Sequence, residues 1–145
     1  MKVIVDADAC PVKNIIEKVS RFYDLEVIMV SNYHHQIESD YAKVIVVDGS
    51  SQAADMAIAN HTRPGDIVVT QDYGLAAMIL AKQAHAIHPL GNIYSQENID
   101  GLLMQRYVNQ KARQANKRTV GPRKRTSLDD KYFEQQFVKL ILDQK

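Results

Sequence analysis

The stretch MKVIVDADACPV, residues 1–12, decides the fold: an apolar, β-branched run at 3–5 ends on Asp6 and Asp8, and Cys10-Pro11 follows. A run without alternation suits a strand buried on both faces, and a proline near the first helical position opens a helix over residues 11–23. Similar short runs recur at 27–30, 44–47 and 67–69, and 86–87 is read as a further short strand. Between them lie helical patterns at 51–60, with Ser51 as N-cap, and at 74–84, rich in Ala and Leu. Repeated strand-helix units predict right-handed crossovers and a three-layer α/β/α sandwich with a mainly parallel central sheet.

Beyond residue 96 the pattern turns helical. A long helix is expected from about 98 to 117, then the breaker Thr119-Val120-Gly121-Pro122, then an amphipathic helix from about 128 to 142. In the last of these Phe133, Phe137, Leu140 and Ile141 recur at helical spacing, which reads as core packing. No repeat or dividing linker is visible, so residues 1–145 are expected to form a single domain with a basic helical C-terminal stretch from about 98.

At 145 residues the chain is long enough to bury ~68–70% of its unfolded surface. With 46% hydrophobic and 24% charged residues it lies far from the composition of a disordered chain. The single cysteine forms no internal disulfide, the N-terminus lacks a signal-peptide pattern and no apolar run approaches the ~18 residues of a membrane span, so a cytoplasmic location is expected.

The net charge of +1 conceals a division. Between Asp100 and Asp129 there is no acid, but there are Arg106, Lys111, Arg113, Lys117, Arg118, Arg123, Lys124 and Arg125; the other residues carry 10 basic and 17 acidic side chains. An acidic body beside a basic stretch suggests a site that gathers cations next to one that holds an anion such as nucleic acid. A solvated basic helix face explains the same charges about as well.

Open α/β sheets bind ligands outside the carboxyl ends of their strands. Asp6 closes the first run, Asp8 follows two residues later, and the run 67–70 ends on Gln71-Asp72. Asp55 lies about one turn into the helix after Ser51, and Asp48 closes the run 44–47. Crowded carboxylates resist ionising together, so a cation is their natural partner, and hard oxygen ligands favour Mg²⁺ or Mn²⁺. Such ions activate water and stabilise a leaving oxygen in phosphodiester hydrolysis. Asp8 and Asp72 also fit helix N-caps and Asp48 a turn, whereas Asp6 and Asp55 occupy no obvious capping position. Asp66, after Pro64-Gly65, begins its strand and is expected at the opposite sheet edge.

Several motifs together, Asp6-Ala7-Asp8-Ala9-Cys10-Pro11-Val12, Ala53-Ala54-Asp55, the segment PGDIVVTQDYGLA at 64–76, Glu97-Asn98-Ile99 and Gly121-Pro122-Arg123, resemble the YaiI/YqxD family of uncharacterised bacterial proteins, related to PIN-domain nucleases. The resemblance spans nearly the whole chain. It implies a PIN-like fold with an acidic metal site in which Asp6, Asp55 and Asp72 fall where PIN-type nucleases carry metal-binding acids. Those nucleases commonly add an acid near Asp72, where this chain has Tyr73-Gly74-Leu75; Asp8, Asp48 or Asp129-Asp130 would have to fill that place.

The expected function is therefore phosphodiester hydrolysis of nucleic acid, RNA first. Asp6, Asp55 and Asp72 would hold Mg²⁺ or Mn²⁺, Asp8 would assist, and Arg113, Lys117, Arg118, Arg123, Lys124 and Arg125 would guide the phosphate backbone. Two alternatives stand beside it: a non-catalytic nucleic-acid-binding module of the same fold, and a small haloacid-dehalogenase-like phosphohydrolase with Asp6 as nucleophile, Asp8 as proton donor and Thr70 and Lys82 in support. Cys10 reads as a buried structural thiol, because residue 16 is Ile and no thiol-phosphatase loop forms. His34-His35 and Tyr33 fall in a polar stretch and carry no assignment. No P-loop, dinucleotide fingerprint or His-Glu-x-x-His motif is present.

Overall fold

A computed structural model describes residues 1–145 except 33–36, 115–122 and 145; the side chains of Ser51 and Arg113 are also outside it. The elements are β1 (Lys2–Asp6), α1 (Lys13–Phe22), β2 (Glu26–Asn32), β3 (Lys43–Val47), α2 (Ser51–His61), β4 (Ile67–Val69), α3 (Tyr73–Ala81), β5 (His85–Ile87), α4 (Gln96–Gln114) and α5 (Ser127–Asp143). All five strand runs read from the sequence are strands. Every pairing between them is parallel, in the order β3-β2-β1-β4-β5.

That order has a consequence for function. From β1 the chain proceeds to β2 and β3 on one side, then returns to place β4 and β5 on the other. The strand order therefore reverses between β1 and β4, and the crevice at such a switch point is where open α/β sheets bind ligands.

Each face of the sheet is covered, which completes the three expected layers. Val3, Val5, Val27, Met29, Ile67 and Val69 pack against α1 and α5 through Ile16, Val19, Phe133 and Phe137. On the other face Ile4, Ile28, Val30 and Val68 meet Ala54, Ile58, Leu75, Ile79 and Ile99 from α2, α3 and α4. Successive strand residues point to opposite faces, so an unbroken apolar run supplies both cores at once.

Helix ends differ from the sequence reading in instructive ways. Ser50, not Ser51, caps α2: its backbone is extended and its Oγ accepts the Ala53 N–H at 3.0 Å. Pro11 stands in the turn ahead of α1, which begins at Lys13. α3 stops at Ala81, because Gln83 takes a left-handed φ of 63° that no helix continues through. The breaker at 119–122 lies outside the described residues.

α5 begins with a capping box in which the Thr126 side chain receives the Asp129 N–H and the Asp129 carboxylate receives the Thr126 N–H. Arg123 grips the same carboxylate with two contacts of 2.8 and 2.6 Å. These donors, the Arg123 pair first, hold the Asp129 carboxyl well below the usual range. Thr126→Ala is expected to cost about 1 kcal/mol, the usual worth of an N-cap, measured as a lower urea midpoint with unchanged slope.

Candidate active site at the strand switch point

Asp6 is the last residue of β1, and Thr70 follows directly on β4, its neighbour across the switch point. Their side chains meet: Thr70 Oγ1 donates to Asp6 Oδ2 at 3.0 Å and itself accepts the Asp72 N–H at 3.0 Å. The Thr70 carbonyl accepts a hydrogen bond of 3.1 Å from the buried Tyr94 hydroxyl. One threonine thus aligns Asp6 with Asp72, and Tyr94 fixes the threonine from behind. Burial, with Tyr73 and Asp72 nearby, pushes the Tyr94 phenol far above its ordinary range, so it acts only as a neutral donor.

Asp72 caps α3, as one sequence reading allowed: Oδ1 accepts the Gly74 N–H at 2.8 Å and the Leu75 N–H at 3.2 Å. Arg106 from α4 reaches that same oxygen at 3.5 Å. With the arginine side chain 58% exposed and the carboxylate 34% exposed, this ion pair is worth roughly 0–1 kcal/mol. Oδ2 of Asp72 has no protein donor among the described residues.

Asp55, in α2, also has no hydrogen-bond donor among the described residues, and its electrostatic neighbours are Asp72 and Arg106. Burial first, and then Asp72, raise its carboxyl above the usual range, and Arg106 opposes them. Asp6 is shifted further, to about 6. Burial is the main cause, opposed by the Thr70 hydrogen bond and reinforced by the charges of Asp55, Asp8 and Asp72.

Asp8 has a different occupation. Its carboxylate accepts from Ser31 Oγ at 3.2 Å and from the Asn32 N–H at 3.1 Å, which ties the loop after β1 to the end of β2. Two adjoining hollows open on this edge and share Asp6, Asp8 and Asp72. The first, about 390 Å³, adds Gln71, Tyr73 and Arg106; the second, about 300 Å³, adds Asn32, Ser50 and Asp55.

The four acids selected from the sequence therefore reach one edge. Asp48 and Asp129-Asp130 do not join them. Asp48 accepts the Ser50 N–H in a turn, Asp129 belongs to Arg123, and Asp130 pairs with Arg125 at 2.7 Å. Asp66 lies at the opposite edge as expected. Burial favours its neutral form, but Lys2 and the Arg63 N–H outweigh that and hold it below the ordinary range.

Donor chemistry suits a hard divalent cation: among the described residues, Asp6 Oδ1, both Asp55 oxygens and Asp72 Oδ2 have no protein donor, and they belong to residues lining the two hollows. Among the described residues, however, no three His, Cys, Asp or Glu side chains already stand as a closed metal cage. The carboxylates would have to draw together around an ion, as mutually repelling groups do when a cation removes the repulsion.

The basic residues are only partly where the sequence suggested. Arg123 and Arg125 are engaged with Asp129 and Asp130, Lys124 is exposed, and Lys117, Arg118 and the Arg113 side chain lie outside the described residues. Lys82, assigned to the phosphohydrolase alternative, follows α3 and donates to the Ala59 carbonyl, at the end of the helix away from Asp72. Asp8, that alternative's proton donor, is committed to Ser31 and Asn32. Cys10 is buried, and burial pushes its thiol up, which disfavours the nucleophilic thiolate. His34-His35 and Tyr33 lie outside the described residues.

Sequence reading passed over Tyr94, and it counted Arg106 in the basic stretch but left it out of the six residues assigned to the phosphate backbone. No local spacing marks either of them. They arrive by the folding back of the segment after β5 and by the packing of α4 on α3.

Residues 4–143 match the family model described as "Uncharacterized BCR, YaiI/YqxD family". A UPF0178 protein of Alkaliphilus oremlandii is 52% identical over 134 residues, covering 92% of this chain and 86% of that protein. A UPF0178 protein of Clostridium kluyveri is 48% identical over 145 residues, covering 100% and 95%. Among solved structures, Rae1 (YacP) from Bacillus subtilis, as its W164L mutant, aligns over 99% of both chains with 16% identity and a TM-score of 0.45. The chain belongs to the YaiI/YqxD family, a family that is uncharacterised.

Proposed function

We propose that this member of the YaiI/YqxD family is a metal-dependent phosphodiesterase acting on nucleic acid, RNA first, with its chemistry at the β1/β4 switch point. The observation that carries the reading is the convergence of Asp6, Asp55 and Asp72, from three separate strand-helix units, with oxygens that no donor among the described residues satisfies. The resemblance of these three positions to the metal-binding acids of PIN-type nucleases supports it.

Asp6 Oδ1, the Asp55 carboxylate and Asp72 Oδ2 would hold Mg²⁺ or Mn²⁺. The ion supplies a polarised water and neutralises charge on the leaving oxygen. Thr70 keeps Asp6 oriented, the α3 N-terminus keeps Asp72 oriented through its second oxygen, and Asp8 holds the adjoining strand end in place. Lys124 is left as an exposed backbone contact among the described basic residues of the 123–125 segment.

Cleavage of single-stranded RNA, single-stranded DNA and a simple phosphodiester, each with Mn²⁺, tests the reading. Asp55→Asn and Asp72→Asn are the controls; asparagine also caps helices, so the second should fold. Each is expected to lower the rate by roughly two orders of magnitude, the scale of losing one preorganised electrostatic group, and to weaken Mn²⁺ binding by calorimetry. If neither substitution alters cleavage or metal affinity, the site is not catalytic.

A second reading has its own support: the absence of an acid at 73–75, and of a closed cage among the described residues, favours a module that binds nucleic acid without cutting it. Salt-dependent RNA binding with no turnover in any divalent metal would select that reading.

A further inference from the structure

We propose that Arg106 is the residue that takes the phosphate of the substrate, exchanging the Asp72 carboxylate for a phosphate oxygen when a nucleic-acid strand enters. The inference deepens the proposed function and rests on it. A pocket lined by Asp6, Asp8, Asp55 and Asp72 repels an anion, and Arg106 is the only cationic residue among the described residues that line the two hollows. It also acts electrostatically on Asp55, so its charge is felt by two acids from different elements.

Its present contact is not one the fold needs. Asp72 Oδ1 already accepts two backbone N–H groups, at 2.8 and 3.2 Å, so the arginine adds a third donor at the long distance of 3.5 Å. That contact is the only hydrogen bond the Arg106 side chain makes among the described residues, and four of its five donors remain for a ligand. A planar guanidinium offers two parallel donors that match a phosphate, and the exposed side chain can turn to it without disturbing the helix cap. The other described arginines of the basic stretch, Arg123 and Arg125, are closer to their carboxylates, at 2.6 and 2.7 Å.

The test compares wild type, Arg106→Gln and Arg106→Lys in two measurements: affinity for a labelled single-stranded RNA in EDTA across a salt series, and Mn²⁺ affinity without RNA. Arg106→Gln is expected to bind RNA about ten-fold more weakly, with a salt slope lower by about 1, the signature of one lost phosphate contact. It should bind Mn²⁺ as well as wild type or better, because a positive charge beside Asp72 and Asp55 has gone. Arg106→Lys should recover the salt slope but only part of the affinity, since a point charge lacks the fork.

Wild-type RNA affinity and slope in Arg106→Gln would overturn the proposal, as would a parallel loss of RNA binding, Mn²⁺ binding and melting temperature, which marks a structural role. The catalytic reading fails separately, through the Asp55 and Asp72 variants, so the two failures are distinguishable.

Discussion

Asp6→Asn is expected to make the metal-free protein more stable at pH 7, by about 2 kcal/mol, and at the same time to remove its cation binding and any hydrolysis. The carboxyl of Asp6 sits at about 6 in the folded protein against an ordinary value of 3.8, chiefly because burial disfavours its charge. A group with a raised pKa binds its proton more tightly when folded, so between roughly pH 4 and 6 the folded state carries more protons than the unfolded one. Wild-type stability therefore falls as pH rises through that window, and the whole penalty is present at pH 7. The shift corresponds to about 3 kcal/mol at most, which partial solvent access reduces.

Asparagine stays neutral throughout and can still accept the Thr70 hydrogen bond. Its advantage should appear as a melting temperature about 4–8 °C higher at pH 7, closing to nothing below about pH 4. Mn²⁺ should reverse the ranking at pH 7.5, because an ion that binds only the folded wild type stabilises it by mass action. Equal melting temperatures for the two proteins at pH 7 would show that the Asp6 charge is under no strain.

The parts of this site legible in the sequence were those set by strand direction. An unbroken apolar run gives a buried parallel strand, its last residue lies at the carboxyl edge, and its first lies at the other; that rule placed Asp6 and Asp72 in the site and kept Asp66 out of it. Asp55 was legible by exclusion, as an acid inside a helix with no cap to form. What stayed hidden depends on contacts between elements distant in sequence. Thr70 reaches Asp6 over 64 residues and Arg106 reaches Asp72 over 34, and no periodicity encodes such meetings. Charge counting misled in a specific way: it registered the positive run that includes Arg123 and Arg125, but Asp129 and Asp130, which pair with them, lie just beyond its end.

Phe137→Ala is expected to cost 3–5 kcal/mol, the range for removing a fully buried aromatic, and to lower the melting temperature by about 6–20 °C. Phe137 is fully buried, and its ring stacks on Phe133 with centroids 5.4 Å apart. Both rings sit in the cluster that joins α5 to α1 and to one face of the sheet, so truncation opens a cavity inside that core. The loss is a large fraction of the roughly 5–15 kcal/mol that holds a domain folded. Its value lies in the contrast with the acidic positions. Phe137 is a core residue and lines neither hollow at the carboxyl edge, so the molecules that remain folded at low temperature should bind Mn²⁺ with wild-type affinity, while less of the protein is folded on warming. Asp55→Asn and Asp72→Asn should do the opposite, keeping the melting transition and losing the ion. If Phe137→Ala weakens Mn²⁺ binding per folded molecule, the strand ends depend on α5 packing, and the site is less rigidly preset than the Thr70 and Asp72 hydrogen bonds imply.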